Sequence, residues 1–326
     1  MVDEEYLLEK IQTYYPQVNP LYIPCHQQVI EYLALHYDLA FTSMGYYQRD
    51  LSPLIKMLFG KHFQFWYCPH GNSDKTLEHF REQDMALIYG DQMEKRLKQE
   101  RLFDHLRGCV RTGHYRFMFY QQHAPFYDEK VKQDVFSRFA HQQTTLLYAP
   151  TWEDFKGSSS LFHASLPLLE QLPSYYNLII KPHPWLEHYH PGYLHWLKEK
   201  YRNRSNLIFL DDYPLVLPLL KHISIYIGDF SSIGYDFLYH RKPMFFFDSQ
   251  AGGKSGLYQC GHLIPQSEMK HLFSFVERHL DDQLEEKKEA LFHHVFDPNI
   301  SLDKIREEVI EQGMKLLHPQ RHIKES

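Results

Sequence analysis

The sequence predicts an α/β protein with doubly wound parallel sheets in two domains, and three observations predict it. Short apolar runs alternate with amphipathic helical patterns at the spacing of βαβ units. The runs are nearly continuous in apolar character, as strands covered on both faces require. The length, 326 residues, suffices for two domains that each bury a core.

Taken in order, Glu4–Tyr14 and His26–His36 read as helices, Leu39–Ser43 as a strand, Phe63–Cys68 and Met85–Tyr89 as further strands, and Met93–His105 as a helix. The second half is sharper. Thr144–Ala149 (TTLLYA), Asn177–Ile180 (NLII), Asn206–Leu210 (NLIFL), Ile223–Ile227 (ISIYI) and Pro243–Phe247 (PMFFF) read as strands. Between them Leu161–Gln171, Tyr193–Tyr201, Leu215–His222 and Ile233–His240 each place apolar residues along one helical face. Gln121–Gln143 is polar and lacks a strand signal, so the boundary is expected there. This gives domains over 1–140 and 141–300, with a closing helix and tail over 301–326. In that tail Leu302, Ile305, Val309 and Met314 line one side of an amphipathic helix expected to dock back on the first domain. The charged segment Asp281–Glu289 reads as a solvated helix face.

Composition narrows the function classes. A formal net charge of −6 argues against a broadly basic protein held to nucleic acid by phosphate neutralisation. No apolar run approaches the ~20 residues of a membrane-spanning helix, and the start MVDEEYLLEK is unlike a signal peptide, so the expected location is the cytoplasm. Cys25, Cys68, Cys109 and Cys260 form no CxxC pair, which indicates free thiols rather than a zinc ribbon or redox motif. Neither His183-x4-His188-x-His190 nor His293-His294 brings a ligand set of recognised spacing, so no metal and no cofactor is expected.

Three segments carry candidate chemistry. Gly228-Asp229-Phe230-Ser231-Ser232-Ile233-Gly234 follows the strand ISIYI and opens a helix, where backbone N–H groups and two hydroxyls favour an anion such as a diphosphate. The same residues also read as an ordinary N-cap. Lys181-Pro182-His183-Pro184 follows NLII; the flanking prolines hold His183 in an extended loop at the carboxyl end of a strand, where open α/β sheets bind ligands. His70-Gly71 ends the strand FQFWYC, where a neutral imidazole can accept a hydroxyl proton and the glycine admits a substrate, although a plain turn would look the same. Asp248–Ser255 (DSQAGGKS) imitates a P-loop ending, but Asp248 stands where that loop needs glycine, and no ATPase is expected.

In order, CPHGNSDK, LLYAPTWED, IIKPHP and IGDFSSIGYDFLYHRKPMFFFD resemble the CDP-glycerol:poly(glycerophosphate) glycerophosphotransferase family, over approximately Phe63 to Asp248. Phe296-Asp297 with Ser301 and Lys304 resembles the family's closing segment. The resemblance implies a GT-B fold, two Rossmann-like domains facing across a cleft, with donor nucleotide on the second and acceptor on the first. It implies that His70 is the general base on the acceptor hydroxyl and that Gly71, Lys75, Thr151 and Trp152 are acceptor-side or supporting residues. It further implies that His183 orients the donor phosphates beside Lys181, where the family usually has arginine. Ser231 and Ser232 would lie at the pyrophosphate, with Asp229 and Asp236 at the acidic positions around them.

The implied partners are a CDP-alcohol or other nucleotide-diphosphate donor and a hydroxyl acceptor. A lipid-linked acceptor would bring transient contact with the inner face of the cell membrane. Thr-Asp-Tyr of the family pattern becomes Gly228-Asp229-Phe230, HGTPLK becomes HGNSDK, and Glu153 stands where arginine often follows APTW. Two rival readings share the phosphate-binding framework: a GT-B glycosyltransferase or epimerase acting on a nucleotide sugar, and a non-catalytic nucleotide-binding protein.

Overall fold

The structure, a computed structural model, describes residues 4–72, 77–153, 159–247, 255–281 and 283–317. Among these, one compact unit takes the residues up to His70, those from 77 to Tyr115 and those from Val295 onward; the other takes Gly71, Asn72 and Arg116–His294.

The first unit opens with α1 (Glu5–Tyr14) and α2 (His26–His36), then β1 (Leu39–Thr42), α3 (Tyr47–Phe59), β2 (Gln64–Tyr67), β3 (Met85–Ile88), α4 (Asp91–Gln99) and β4 (Gly108–Arg111). The four strands form a parallel sheet in the order β1-β2-β3-β4. Alternation along β2 divides its side chains between two cores, as a period of two requires. Phe63 and Phe65 pack with Leu33 and Ile55 under α2 and α3, whereas Trp66 packs with Met85, Leu87 and Val110 on the other face. Pro53 inside α3 removes one helical hydrogen bond, yet Ile55 is completely buried and Gly60 ends the helix in the left-handed conformation at φ 64°.

The second unit takes α5 (Tyr115–Gln122) from Arg116 onward, then α6 (Ala124–Asp134), β5 (Thr144–Ala149), α7 (Leu161–Gln171), β6 (Tyr176–Ile180), α8 (Pro184–Tyr189), α9 (Pro191–Tyr201) and β7 (Leu207–Phe209). It continues through α10 (Val216–His222), β8 (Ile225–Gly228), α11 (Ser232–Phe237), β9 (Met244–Phe247), β10 (His262–Ile264), α12 (Leu272–Arg278) and α13 (Glu285–Val295). Its six-stranded sheet is parallel throughout, in the order β10-β9-β8-β5-β6-β7. Strand order reverses between β5 and β8, the switch point at which a crevice opens beyond the carboxyl ends of such strands.

Both faces of this sheet are covered. Leu146, Tyr148, Leu178, Ile180, Ile225 and Ile227 pack beneath α7, α9 and α12, and the alternating residues Leu147, Ile179, Tyr226 and Phe246 are buried as well. That double burial is why the strands read as continuous apolar runs. Finally α14 (Leu302–Leu317) returns to the first unit, where Ile305, Val309 and Leu316 pack against the core of Trp66, Met85 and Val110.

Candidate functional site

Parallel pairing places the segments after β5, β6 and β8 at one edge of the second sheet, with β5 between its two neighbours. Ala149–Trp152, Lys181–Pro184 and Asp229–Ser232, which span about eighty residues of sequence, therefore leave the sheet side by side. Asp229 ties the arrangement together. Its side chain is completely buried, and its Oδ2 accepts the Thr151 amide at 2.8 Å and the Ser160 amide at 3.1 Å. Ser160 is held in turn by the Tyr148 hydroxyl at 2.8 Å.

His183 caps α8: its Nδ1 accepts the Trp185 amide at 3.1 Å. A ring nitrogen that accepts carries no proton, so the neutral imidazole presents Nε2–H as its donor. Lys181, two residues upstream, is buried, and its amide bonds the Tyr148 carbonyl at 2.9 Å. Close by, Glu187 has its carboxyl pushed above the usual range, chiefly by burial and then by Asp211, with the Lys181 charge acting in the opposite sense. Trp152 and Trp185 approach with ring centroids 5.2 Å apart, and Tyr189 lies 5.7 Å beyond Trp185. Trp185 and Tyr189 remain 52% and 62% exposed, which leaves flat apolar surface two residues from His183.

Ser231 and Ser232 are half-exposed at the start of α11. Within the same unit Gly71 lies so near that a Cβ on it would come 2.8 Å from the Ser232 Cβ, which explains the glycine sterically. Asp236, one turn into α11, is 3% exposed and takes Arg116 Nη2 at 2.9 Å on one oxygen and 3.2 Å on the other. Asp229 and Asp236 both turn toward protein donors, so their geometry suits holding loops and helix in place rather than contact with a phosphate of like charge.

In the first unit His70 is exposed just after β2, beyond a buried Pro69. Lys75 lies outside the described residues. Among the described residues no cluster of three or more His, Cys, Asp or Glu side chains is placed to hold a metal, and no helix is long and apolar enough to cross a membrane.

The sequence profile of the family described as CDP-Glycerol:Poly(glycerophosphate) glycerophosphotransferase matches residues 74–252, more than half of the chain. The chain belongs to that family. A search of the curated proteins finds no match. Among solved structures the chain is similar to a histidine-to-alanine variant of the wall teichoic acid polymerase TagF, with 15% identity, a TM-score of 0.61, and coverage of 94% of this chain and 86% of that one. It is likewise similar to a TagF histidine-to-asparagine variant soaked with CDPG, at 15% identity, TM-score 0.61 and coverage of 96% and 85%. Anabaena Alr3699/HepE in complex with UDP-glucose shares the fold at 11% identity, TM-score 0.52 and coverage of 96% and 90%. At these identities the likeness is one of fold: mixed α/β with parallel sheets.

The glycerophosphotransferase profile takes in Lys181, His183, Asp229, Ser231 and Ser232 and stops short of His70 and Gly71. Two departures from the family's Thr-Asp-Tyr pattern have local causes. A Cβ at Gly228 would stand 2.6 Å from the Tyr226 hydroxyl, so that ring fills the space a threonine would need. Phe230 is stacked between Phe246 at 4.7 Å and Tyr258 at 4.2 Å, where a phenol oxygen is not required. Sequence reading alone missed Arg116, Trp185 and Tyr189. Arg116 meets Asp236 across 120 residues of sequence and leaves no local signal, while the two aromatics give themselves away only by exposure.

Proposed function

We propose that this chain transfers a glycerophosphate-like polyol phosphate from a CDP-alcohol donor to a hydroxyl acceptor in cell-envelope polymer synthesis. The observation that carries the reading is the family match over residues 74–252, which contains the Lys181, His183 and Ser231–Ser232 segments brought to one sheet edge. The fold likeness to TagF, a wall teichoic acid polymerase with a CDPG-soaked structure, supports it.

In this GT-B reading the second unit takes the donor. Lys181 and His183 Nε2–H meet the phosphates, Ser231 and Ser232 contribute hydroxyls, and the exposed Trp185 ring, backed by the half-buried Trp152, offers the flat face for the base. Asp229 holds the Thr151 end of that surface. His70 takes the acceptor's hydroxyl proton as the oxygen attacks the polyol-bearing phosphorus in line. The bond to the bridging oxygen breaks and CMP leaves, its developing charge met by Lys181 and His183. A lipid-linked acceptor, with transient contact at the inner membrane face, belongs to the same proposal.

A donor screen tests this. Thermal shifts are measured against CDP-glycerol, CDP-ribitol and UDP-sugars, followed by identification of the phosphorus-containing product, since a ligand that binds only the folded chain raises its apparent stability. CDP-alcohols should stabilise the protein and release CMP on turnover. Loss of the His70 base should lower turnover by ~10²–10⁴-fold with donor binding kept. Transfer from a UDP-sugar alone, or nucleotide binding without turnover on any acceptor, refutes the proposal.

A further inference from the structure

We infer that Tyr89, supported by Tyr115, is a positioning residue for His70; the inference rests on the proposed role of His70 as base. The sheet's hold on the chain before His70 ends at Cys68, whose amide makes the last bond to β1, 2.7 Å to the Thr42 carbonyl. Pro69 comes next and has no N–H with which to continue the ladder. Its carbonyl is instead taken by the Tyr89 hydroxyl at 2.6 Å, in a buried hydrogen bond between residues 20 apart in sequence. One residue earlier, the Cys68 thiol donates to the Tyr115 hydroxyl at 3.1 Å. The two residues that lead into the exposed His70 are therefore each held by a phenol oxygen.

The phenols themselves have little freedom. Their rings stack nearly parallel, at 6.0 Å and 8°, and the edge of Phe296 closes on Tyr89 at 5.4 Å and 83°. Tyr89 and Phe296 are each 1% exposed, and the Asp297 amide reaches the Tyr89 carbonyl at 3.4 Å. Gly90 lets that closing segment approach, since a Cβ there would meet the Val295 carbonyl at 2.7 Å. A buried tyrosine hydroxyl needs a partner, and a core needing only a ring here would accept phenylalanine. Committing the hydroxyl to the carbonyl before an exposed histidine fixes where the imidazole starts from, and small displacements of a reacting group are costly in rate.

The test is a double-mutant comparison of Tyr89→Phe, His70→Ala and the pair, with melting curves confirming folding. Tyr89→Phe should lower kcat by about 10- to 100-fold with KM for the donor unchanged. In the His70→Ala background, assayed with excess enzyme over long incubations, it should have no further effect, because a residue acting through another is silent once that one is gone. A role confined to folding would lower both backgrounds by the same factor, and that result overturns the inference, as does wild-type kcat in Tyr89→Phe. Normal turnover in His70→Ala removes the underlying reading instead, and the inference with it. Should Tyr89→Phe fail to fold, Tyr115→Phe carries the same comparison, with the same expected silence in the His70→Ala background.

Discussion

Removing the Asp229 carboxylate should destabilise the second unit by an amount that its geometry bounds. The side chain is completely buried and one oxygen, Oδ2, serves two backbone amides, those of Thr151 at 2.8 Å and Ser160 at 3.1 Å. In Asp229→Ala both amides lose that acceptor in the interior, and an orphaned buried donor costs about 1–3 kcal/mol. The pair sets an expected loss of roughly 2–6 kcal/mol in unfolding free energy. Asp229→Asn keeps an acceptor oxygen without its charge, and charge-assisted bonds are about twice as strong as neutral ones, so it should lose about half as much. Denaturant unfolding, read from midpoints at unchanged slope, measures both. A loss below about 0.5 kcal/mol in the alanine variant, the range of ordinary surface changes, would refute the view that this carboxylate holds the loops after β5 and β8. An asparagine variant weaker than the alanine variant would refute the assignment of the charge to those amides.

Two further outcomes follow from buried charge. Arg116→Leu leaves Asp236, 3% exposed, without the guanidinium that contacts both its oxygens; breaking a buried pair from one side costs about 3–5 kcal/mol, and because Arg116 is itself a quarter exposed, about 3 kcal/mol is expected. Adding Asp236→Asn to that variant should recover part of the loss, and no recovery would show that the pair is not the cause. Stability should also fall on acidification: burial, then the charges of Lys242, Lys221 and His222, lowers the His240 pKa to about 4 from an ordinary 6.5. Between those values the unfolded chain binds a proton that the folded chain does not, so stability is complete above pH 6.5 and declines as pH drops toward 4. At about 1.4 kcal/mol for each pH unit of that window, the loss is on the order of 3 kcal/mol. His163 and His222 are lowered by burial in the same direction. Unfolding curves at about pH 7 and pH 4.5, on either side of most of that decline, check this, and a His240→Asn variant with an undiminished pH slope would refute the assignment to His240.

The second sheet was legible because both its faces are buried. A strand such as Thr144–Ala149 must be apolar nearly throughout, and the predicted runs coincide with β5 through β9 to within a residue or two. Less covered strands lack that constraint: β4, of which only Val110 is fully buried, and the three-residue β10, of which only Ile264 is, gave no usable signal. Pro53 concealed α3, because a proline argues against a helix locally while the packing of Ile55 decides the matter from a distance. Within the polar stretch Gln121–Gln143 the structure forms α6, whose two buried residues, Tyr127 and Val131, are too few to mark a face.

By itself the sequence determined the periodicities and the residue types at strand ends: His183 between two prolines, two serines after β8, a histidine and glycine after β2. Those are local properties, fixed by backbone sterics and by which faces must shed water. Tertiary structure alone decided what each of those segments is held by. Asp229 serves amides 69 and 78 positions away, Asp236 an arginine 120 away, and Pro69 a phenol 20 away. No spacing rule reaches that far, because burial obliges a polar group to find a partner without specifying where in the chain the partner lies.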